Sequence, residues 1–381
     1  MARSEGSGEI RVIPVTTEED LWNFQRLPWR IYQHDPYWVP PLLSHQRRFL
    51  DHRQGPFFAI GEARYFLARR RGELAGRLSV HINGQYDEHN DAITGFFGFF
   101  ECVPDREVAR ALFAAGAEWL RQRGKKRLLG PMNFTIYDEM GLLVEGYDSL
   151  PAIFQTHNPP YYQDLLTALG FSKAMDWYAM RITNREIDTE AMEQRLEGML
   201  RKPSIVLRNY APQEFARRSE EAYELFNEAW ASHWGHVPVS RQQFESFLKE
   251  VKPLLHPELV HMALAEDRLV GFSIAIPDLN PLVQKLRGRL SLWGKLRLLY
   301  AAKYGKLRKV RGLMIAVRAA HRSQQLHTAM ILRTYVYLVR HTPCEFADFS
   351  LIPEYLPHWR RTLEILGAQR YKTFRIFAKE I

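Results

Sequence analysis

Two stretches of the chain, YFLARRRGELAGRLSVHIN (Tyr65–Asn83) and VHMALAEDRLVGFSIAIPD (Val260–Asp278), read alike as strand, tight turn and strand. In each, a polar turn precedes Leu-Ala-Gly (Leu74–Gly76) or Leu-Val-Gly (Leu269–Gly271), and alternating apolar residues follow. The likeness extends outward. GFFGFFE (Gly95–Glu101), a helix over about 105–123 and KRLLG (Lys126–Gly130) match GLMIAV (Gly312–Val317), a helix over about 324–340 and EFADFSL (Glu345–Leu351). Each half then closes on a short helix, a Leu-Gly pair and a strand, in YYQDLLTALGFSKAMDWYAMRI (Tyr161–Ile182) and HWRRTLEILGAQRYKTFRIFAK (His358–Lys379). Gly76 answers Gly271 and Gly170 answers Gly367, a register held at about 195 residues across the unit. The chain is therefore α/β, two tandem copies of a mixed sheet flanked by helices. The division is 1–183 and 204–381, with a charged helical linker at 184–203 and a basic insert at 281–312 in the second copy.

Of the 381 residues, 46% are hydrophobic and 25% charged, a globular balance. The N-terminus lacks the apolar run of a secretory signal, and no stretch is long and apolar enough to span a bilayer. Cys102 and Cys344 form neither a disulfide framework nor a metal-ligand pattern, so two buried thiols and no metal are expected.

The net charge of +9 is concentrated: no acidic residue occurs between Asp278 and Glu345, while lysines and arginines recur from Lys285 to Arg340. Within this region PLVQKLRGRLSLWGKLRLLYAAKYGKLRKVRG (Pro281–Gly312) spaces Leu282, Leu286, Leu290, Trp293, Leu296, Tyr300, Tyr304 and Leu307 as a helix does. Gly288, Gly294 and Gly305 predict broken helices. Such a segment suits an anionic membrane surface. A solvated face over an ordinary core helix is the alternative. The charge is enough for phosphate contacts, but no nucleic-acid motif accompanies it, so no nucleic-acid partner is expected.

Several long, irregular motifs carry a family resemblance: PWRIYQHDPYWVPPL (Pro28–Leu42), GPMNFTIYDEMGLLVEGYDS (Gly130–Ser149), THNPPYYQDLLTALGF (Thr156–Phe171), NEAWASHWGHVP (Asn227–Pro238) and PDLNPLVQKLRGRL (Pro277–Leu290). From about Arg11 to Lys379 the chain resembles the GNAT-type (Gcn5-related N-acetyltransferase) proteins that include bacterial ceramide synthases. The resemblance implies a tandem GNAT fold and transfer of a fatty acyl group to the amine of a long-chain sphingoid base. It implies acyl-CoA, or acyl carrier protein, as co-substrate and a long-chain amino lipid as acceptor. Together with the missing signal and span, the basic arm leads to an expected location that is cytoplasmic, peripheral on the inner face of the cytoplasmic membrane.

Attack of a neutral amine on a thioester needs a cradle for the donor phosphates, a hydrogen bond to the carbonyl and a proton acceptor. In the GNAT pattern the cradle is Arg-x-x-Gly-x-Gly/Ala. Here RAAHRSQQLHTAMILRT (Arg318–Thr334) keeps the arginine as Arg322, but Gln325 replaces the first glycine and His327 the second small residue. Side chains there crowd an anion. Val317, Arg322, Ser323, Gln325 and His327 are the candidate donor residues; a degenerate, purely structural loop is the alternative. ECVPDREV (Glu101–Val108) in the first half has no cradle.

For the base the first choice is Glu139, within the polar loop of Asn133, Tyr137, Asp138 and Glu139; His157 is the rival. Asn133, Tyr137, Asp138, Asn158, Tyr161, His233 and Trp234 are expected around the acceptor. Capping of turns and ordinary packing are the alternatives for each. The run Phe96, Phe97, Phe99, Phe100 reads as a core strand, with a lipid tunnel as the second reading. The rival function is a catalytically inactive lipid- or acyl-binding protein, which the altered glycine loop favours; nucleic-acid binding through the acid-free region is the second, weaker rival.

Overall fold

The computed structural model describes residues 9–183, 189–201 and 205–381. Of the expected linker, 184–188 and 202–203 lie outside the described residues; between them runs helix Thr189–Leu200.

The two hairpins form as their sequences predict. Strands β1 (Ile10–Pro14), β2 (Gly61–Arg70) and β3 (Glu73–Asn83) pair antiparallel in that order. The β2–β3 turn is Arg71-Gly72, with both φ angles positive (52° and 82°). A two-residue turn of this hand matches the right-handed twist of the strands it joins. β3 pairs antiparallel with β4 (Thr94–Cys102), which pairs parallel with β5 (Arg127–Gly130). Two further strands follow, β6 (Leu142–Glu145) and β7 (Ser172–Thr183).

The second copy repeats the order. Strands β8 (Ile205–Asn209), β9 (Val260–Ala265), β10 (Arg268–Pro277) and β11 (Lys309–Val317) pair antiparallel in sequence, and β11 pairs parallel with β12 (Phe346–Pro353). The hairpin turn Glu266-Asp267 is again left-handed at both residues (49° and 61°). The last strand is β13 (Gln369–Glu380).

Here the pairing departs from the repeat. The compact units are residues up to Trp177 with Val283–Leu290 and Lys372–Ile381 (unit 1), and Tyr178–Leu282 with Ser291–Tyr371 (unit 2). The chain's last strand completes the first sheet: β13 pairs β5 (Phe377↔Gly130) and β6 (Phe374↔Leu143). In unit 2 the end of β7 takes the place beside β12. The division at 184–203 follows sequence similarity; the compact units follow which edge each final strand fills.

Helix Arg106–Arg121, capped by Asp105 Oδ1 accepting from Glu107 N–H (3.0 Å), packs Val108 and Leu112 into the core of unit 1 with Leu78, Val80, Phe97 and Phe377. Beneath helix Glu18–Ile31 a second cluster gathers Phe24, Tyr65, Leu67, Phe99 and Phe134. Phe96, Phe97, Phe99 and Phe100 are at most 7% exposed and pack into the core, so the tunnel reading is set aside. In unit 2 helix Leu326–His341 covers the sheet with Ile331, Leu332 and Tyr335 against Tyr178, Met180 and Ile352. Helix Ser219–Trp230 packs on β10 and β11.

Phe374, Ile376, Phe377 and Ala378 of β13 are buried. Each large apolar side chain is worth about 1.5–3 kcal/mol, a sizeable share of the 5–15 kcal/mol that holds a domain. Truncation after Tyr371 should therefore abolish cooperative unfolding of unit 1. Limited proteolysis and thermal melting check this; a truncated chain as resistant as the full one contradicts it.

Candidate functional site

In unit 2, β11 and β12 pair only from Lys309↔Phe346 to Gly312↔Phe349. β11 then continues along β10 to Val317↔Gly271, with a bulge that leaves Leu313 out of register. Past the last parallel pair, Leu313, Met314 and Ile315 are half-buried. Their counterparts in β4, Phe97, Gly98 and Phe99, are buried. Past the parting of the parallel strands, β11 is half-buried in unit 2, whereas in unit 1 the opening is filled.

The filling is the chain's own loop after β5. Met132 N–H donates to Phe97 O (2.8 Å), and Asn133 Oδ1 accepts from Phe99 N–H (2.9 Å). A Cβ on Gly98 would stand 1.9 Å from Met132 O, so only glycine fits beneath this loop. His81 holds the loop from below through Phe134 O (3.0 Å). Asp138 accepts from Thr135 N–H and Oγ1–H (3.0 and 2.6 Å), and Tyr137 N–H donates to Thr135 Oγ1 (3.2 Å). Glu139 is exposed, and Asn133 Nδ2 donates to its Oε2 (3.1 Å). These polar residues shape the loop that fills the opening.

Asn158 and Tyr161 also make structural bonds. Asn158 accepts from Leu143 N–H (2.7 Å) and donates to Leu143 O (3.1 Å); Tyr161 donates to Cys102 O (2.7 Å). His157 Nε2 lies 2.7 Å from Asp35 Oδ2, and its Nδ1 is buried without a hydrogen-bond partner. Burial depresses the His157 pKa, against the pull of Asp35. Sequence reasoning missed a buried network nearby: Tyr32 and Tyr162 each donate to Glu101 Oε2 (2.7 Å), and Arg77 lies opposite Glu101 across β3 and β4. Burial raises the Glu101 pKa, opposed by Arg77 and both tyrosines. The signal was an arginine and a glutamate at inward positions of adjacent strands.

Unit 2 assembles the other candidates. Beyond buried Val317 the chain turns through Ala319–Gln324 into helix Leu326–His341. Gln325 adopts the left-handed conformation (φ 56°) that glycine would take, at a cost of about 1 kcal/mol. Its side chain is exposed, and the His327 ring lies 5.1 Å from that of Trp359. Arg318 fastens the loop: its guanidinium donates to Glu228 Oε2 (2.8 Å) and Leu269 O (3.0 Å), and Ala319 N–H donates to Glu228 Oε1 (2.9 Å). Arg322 and Ser323 are exposed. The first N–H groups of the helix have no intrahelical acceptor, and no side chain caps them. An uncapped helix start beside the Arg322 cation is the chemistry that attracts a phosphate group.

His233 and Trp234 lie close to this loop. The His233 ring stacks on Trp230 at 4.7 Å, and its Nδ1 is 3.0 Å from Tyr355 Oη, which accepts from Trp234 N–H (3.0 Å). Burial, then the charge of Arg322, depresses the His233 pKa and favours the neutral ring. Tyr355 was not foreseen; its one signal is its place just after β12. Among the described residues no group of three His, Cys, Asp or Glu side chains is placed to hold a metal.

No family model matches the chain. It is 27% identical over 380 residues to the bacterial ceramide synthase of Caulobacter vibrioides (strain NA1000 / CB15N), covering 98% of both chains. It is also 27% identical over 368 residues to Protein YghO of Escherichia coli (strain K12), covering 96% of this chain and 94% of that one. Among solved structures, a tandem GNAT protein from the clavulanic acid biosynthesis pathway superposes with a TM-score of 0.58 at 16% identity, covering 98% of each chain. A GCN5-related N-acetyltransferase from Sphaerobacter thermophilus gives 0.52 at 14%, covering 97% of this chain and 95% of that one.

His81 in unit 1 and His261 in unit 2 are fully buried, and burial lowers each pKa to about 3. Below the unfolded value of about 6.5 the unfolded chain takes up protons that the folded one refuses, so stability is lost as pH falls. Each should remove about 1.4 kcal/mol per pH unit between 6.5 and 3. Urea unfolding at pH 7, 6 and 5 checks this; a flat profile contradicts it.

Proposed function

From a chain that has the tandem GNAT fold and resembles a bacterial ceramide synthase along its length, we propose an N-acyltransferase that moves a fatty acyl group from a thioester to the amine of a long-chain acceptor. One contrast carries the reading: the parted strand is half-buried in unit 2, beside a loop that keeps the glycine-like turn, while the opening in unit 1 is filled. Unit 2 is therefore assigned the donor. The unpaired edge of β11 offers peptide groups to the extended pantetheine arm, as a sheet edge does to a peptide. Arg322, Ser323 and the helix N-terminus take the phosphates of acyl-CoA.

The base we assign is His233 rather than Glu139 or His157, because it lies beside the donor loop in unit 2 and is held neutral. The amine nitrogen attacks the thioester carbonyl carbon, and the C–S bond breaks as the amide forms. His233 takes the proton shed by nitrogen, and Tyr355 Oη–H supplies one to the leaving thiolate. Their 3.0 Å contact lets the proton return, so the pair is reset and the products are an amide and a thiol. Trp230 and Trp234 flank this pair as walls for an alkyl chain.

Sphingoid bases are the acceptor class favoured by the sequence relationship to a ceramide synthase. Such acceptors reside in bilayers, so the reaction belongs at a membrane surface. Incubation with a long-chain acyl-CoA and sphinganine should give the amide by mass spectrometry; its absence across chain lengths leaves a lipid- or acyl-binding protein.

His233→Ala and Tyr355→Phe should each lower kcat by about 100-fold, while Glu139→Gln stays within about twofold of wild type. The reverse pattern returns the base to unit 1. Gln325→Gly removes both the left-handed strain and a side chain from the phosphate turn. It should lower KM for acyl-CoA severalfold and raise Tm; a higher Tm with unchanged KM would make the loop purely structural.

A further inference from the structure

Helix Leu292–Tyr304 is inverted relative to an ordinary surface helix. Ser291 caps it, accepting Gly294 N–H at 3.1 Å, and Gly305 ends it. Of the residues turned inward, Gly294 and Ala302 are buried and Leu298 is half-buried, and the helix rests on Lys252–Leu254. Its large apolar residues face water: Leu292 is 72% exposed, Trp293 81%, Leu296 48%, Leu299 41%, Tyr300 66% and Tyr304 65%. At about 100° per residue these six fill an arc roughly 140° wide, opposite Gly294, Leu298 and Ala301. Exposed Lys295 and Arg297 stand at the two edges of that arc, and exposed Lys303 lies within it. The surrounding sequence from 279 to 344 holds no acidic residue.

We propose that this helix docks in the interface of an anionic bilayer, its apolar arc at the acyl boundary and its cations on lipid phosphates. The charge selects the partner. A protein interface core is depleted in lysine, whereas basic residues bordering a Leu, Trp and Tyr face complement anionic headgroups. Trp293, Tyr300 and Tyr304 are amphipathic rings suited to the headgroup level. The proposal deepens the reading of a membrane-borne acceptor and rests on it for its purpose, though vesicle binding itself requires no turnover.

The test is flotation of the full chain with phosphatidylcholine vesicles, with and without phosphatidylglycerol. Wild type should float only with the anionic vesicles and be released by salt. Trp293→Glu with Leu296→Glu, both exposed in the folded chain, should weaken binding by about tenfold or more. Lys295→Ala with Arg297→Ala should weaken it less and flatten the salt dependence. Acylation of a short, water-soluble amine should be unaffected by either pair, which confirms the fold. Equal flotation with neutral vesicles, unweakened binding of the glutamate variant, or its loss of a dimer without any vesicle binding would each overturn the proposal. Flotation without turnover of any amine would instead sink the acyl-transfer reading and leave the docking helix standing.

Discussion

Two parallel strands that pair over a few residues and then part leave peptide groups that need partners, and both units inherit this constraint. Unit 1 meets it internally: Met132 and Asn133 bond the backbone of Phe97 and Phe99, and Gly98 makes room. The aromatic packing around Phe134, with rings from Phe57, Phe58 and Phe99, then fixes the filling loop. In unit 2 the corresponding stretch, Leu313–Ile315, is half-buried, and the loop after β12 carries Tyr355 toward His233 instead. One backbone problem, solved in two ways, separates a structural copy from the copy assigned to chemistry.

The repeat was legible because hairpins and closing helices write themselves in local patterns: alternation of period two, turn residues and a Leu-Gly stop. The exchange of final strands was not. SKAMDWYAMRI and QRYKTFRIFAK match as sequences, and nothing within either states whether β5 or β12 will be its neighbour. That choice is made by pairing across long separations, Phe377 with Gly130 and Phe374 with Leu143.

The candidate residues divide in the same way. Arg322, Gln325 and His327 were placed by a spacing rule, and the chain there turns through a left-handed Gln325 into a helix. Glu139 ranked first because acidic residues in a loop suggest a base; its loop fills the opening in unit 1, with Asn133 bonded to Glu139 and Thr135 to Asp138. His233 was visible only as a histidine among tryptophans; its value comes from Tyr355, more than a hundred residues away in sequence. In the basic insert, breaks at Gly288 and Gly305 were read correctly, while Gly294 lies inside a helix. Periodicity located an apolar stripe there but not its direction. The buried Gly294 and Ala302 on the other side show it.

Helix Ser219–Trp230 links the parts of unit 2. Its Glu228 accepts from both Arg318 and Ala319, holding the start of the turn whose end forces Gln325 into a left-handed conformation. Because the Gln325 side chain is exposed, little packing offsets that strain; the anchoring bonds at Glu228 must do so. Two residues later the same helix presents Trp230, on which His233 stacks. A shift of this helix would therefore move the turn proposed for the donor phosphates and the proposed base together. Under the proposed reaction, the helix that anchors the donor turn also positions the base, and one element imposes both.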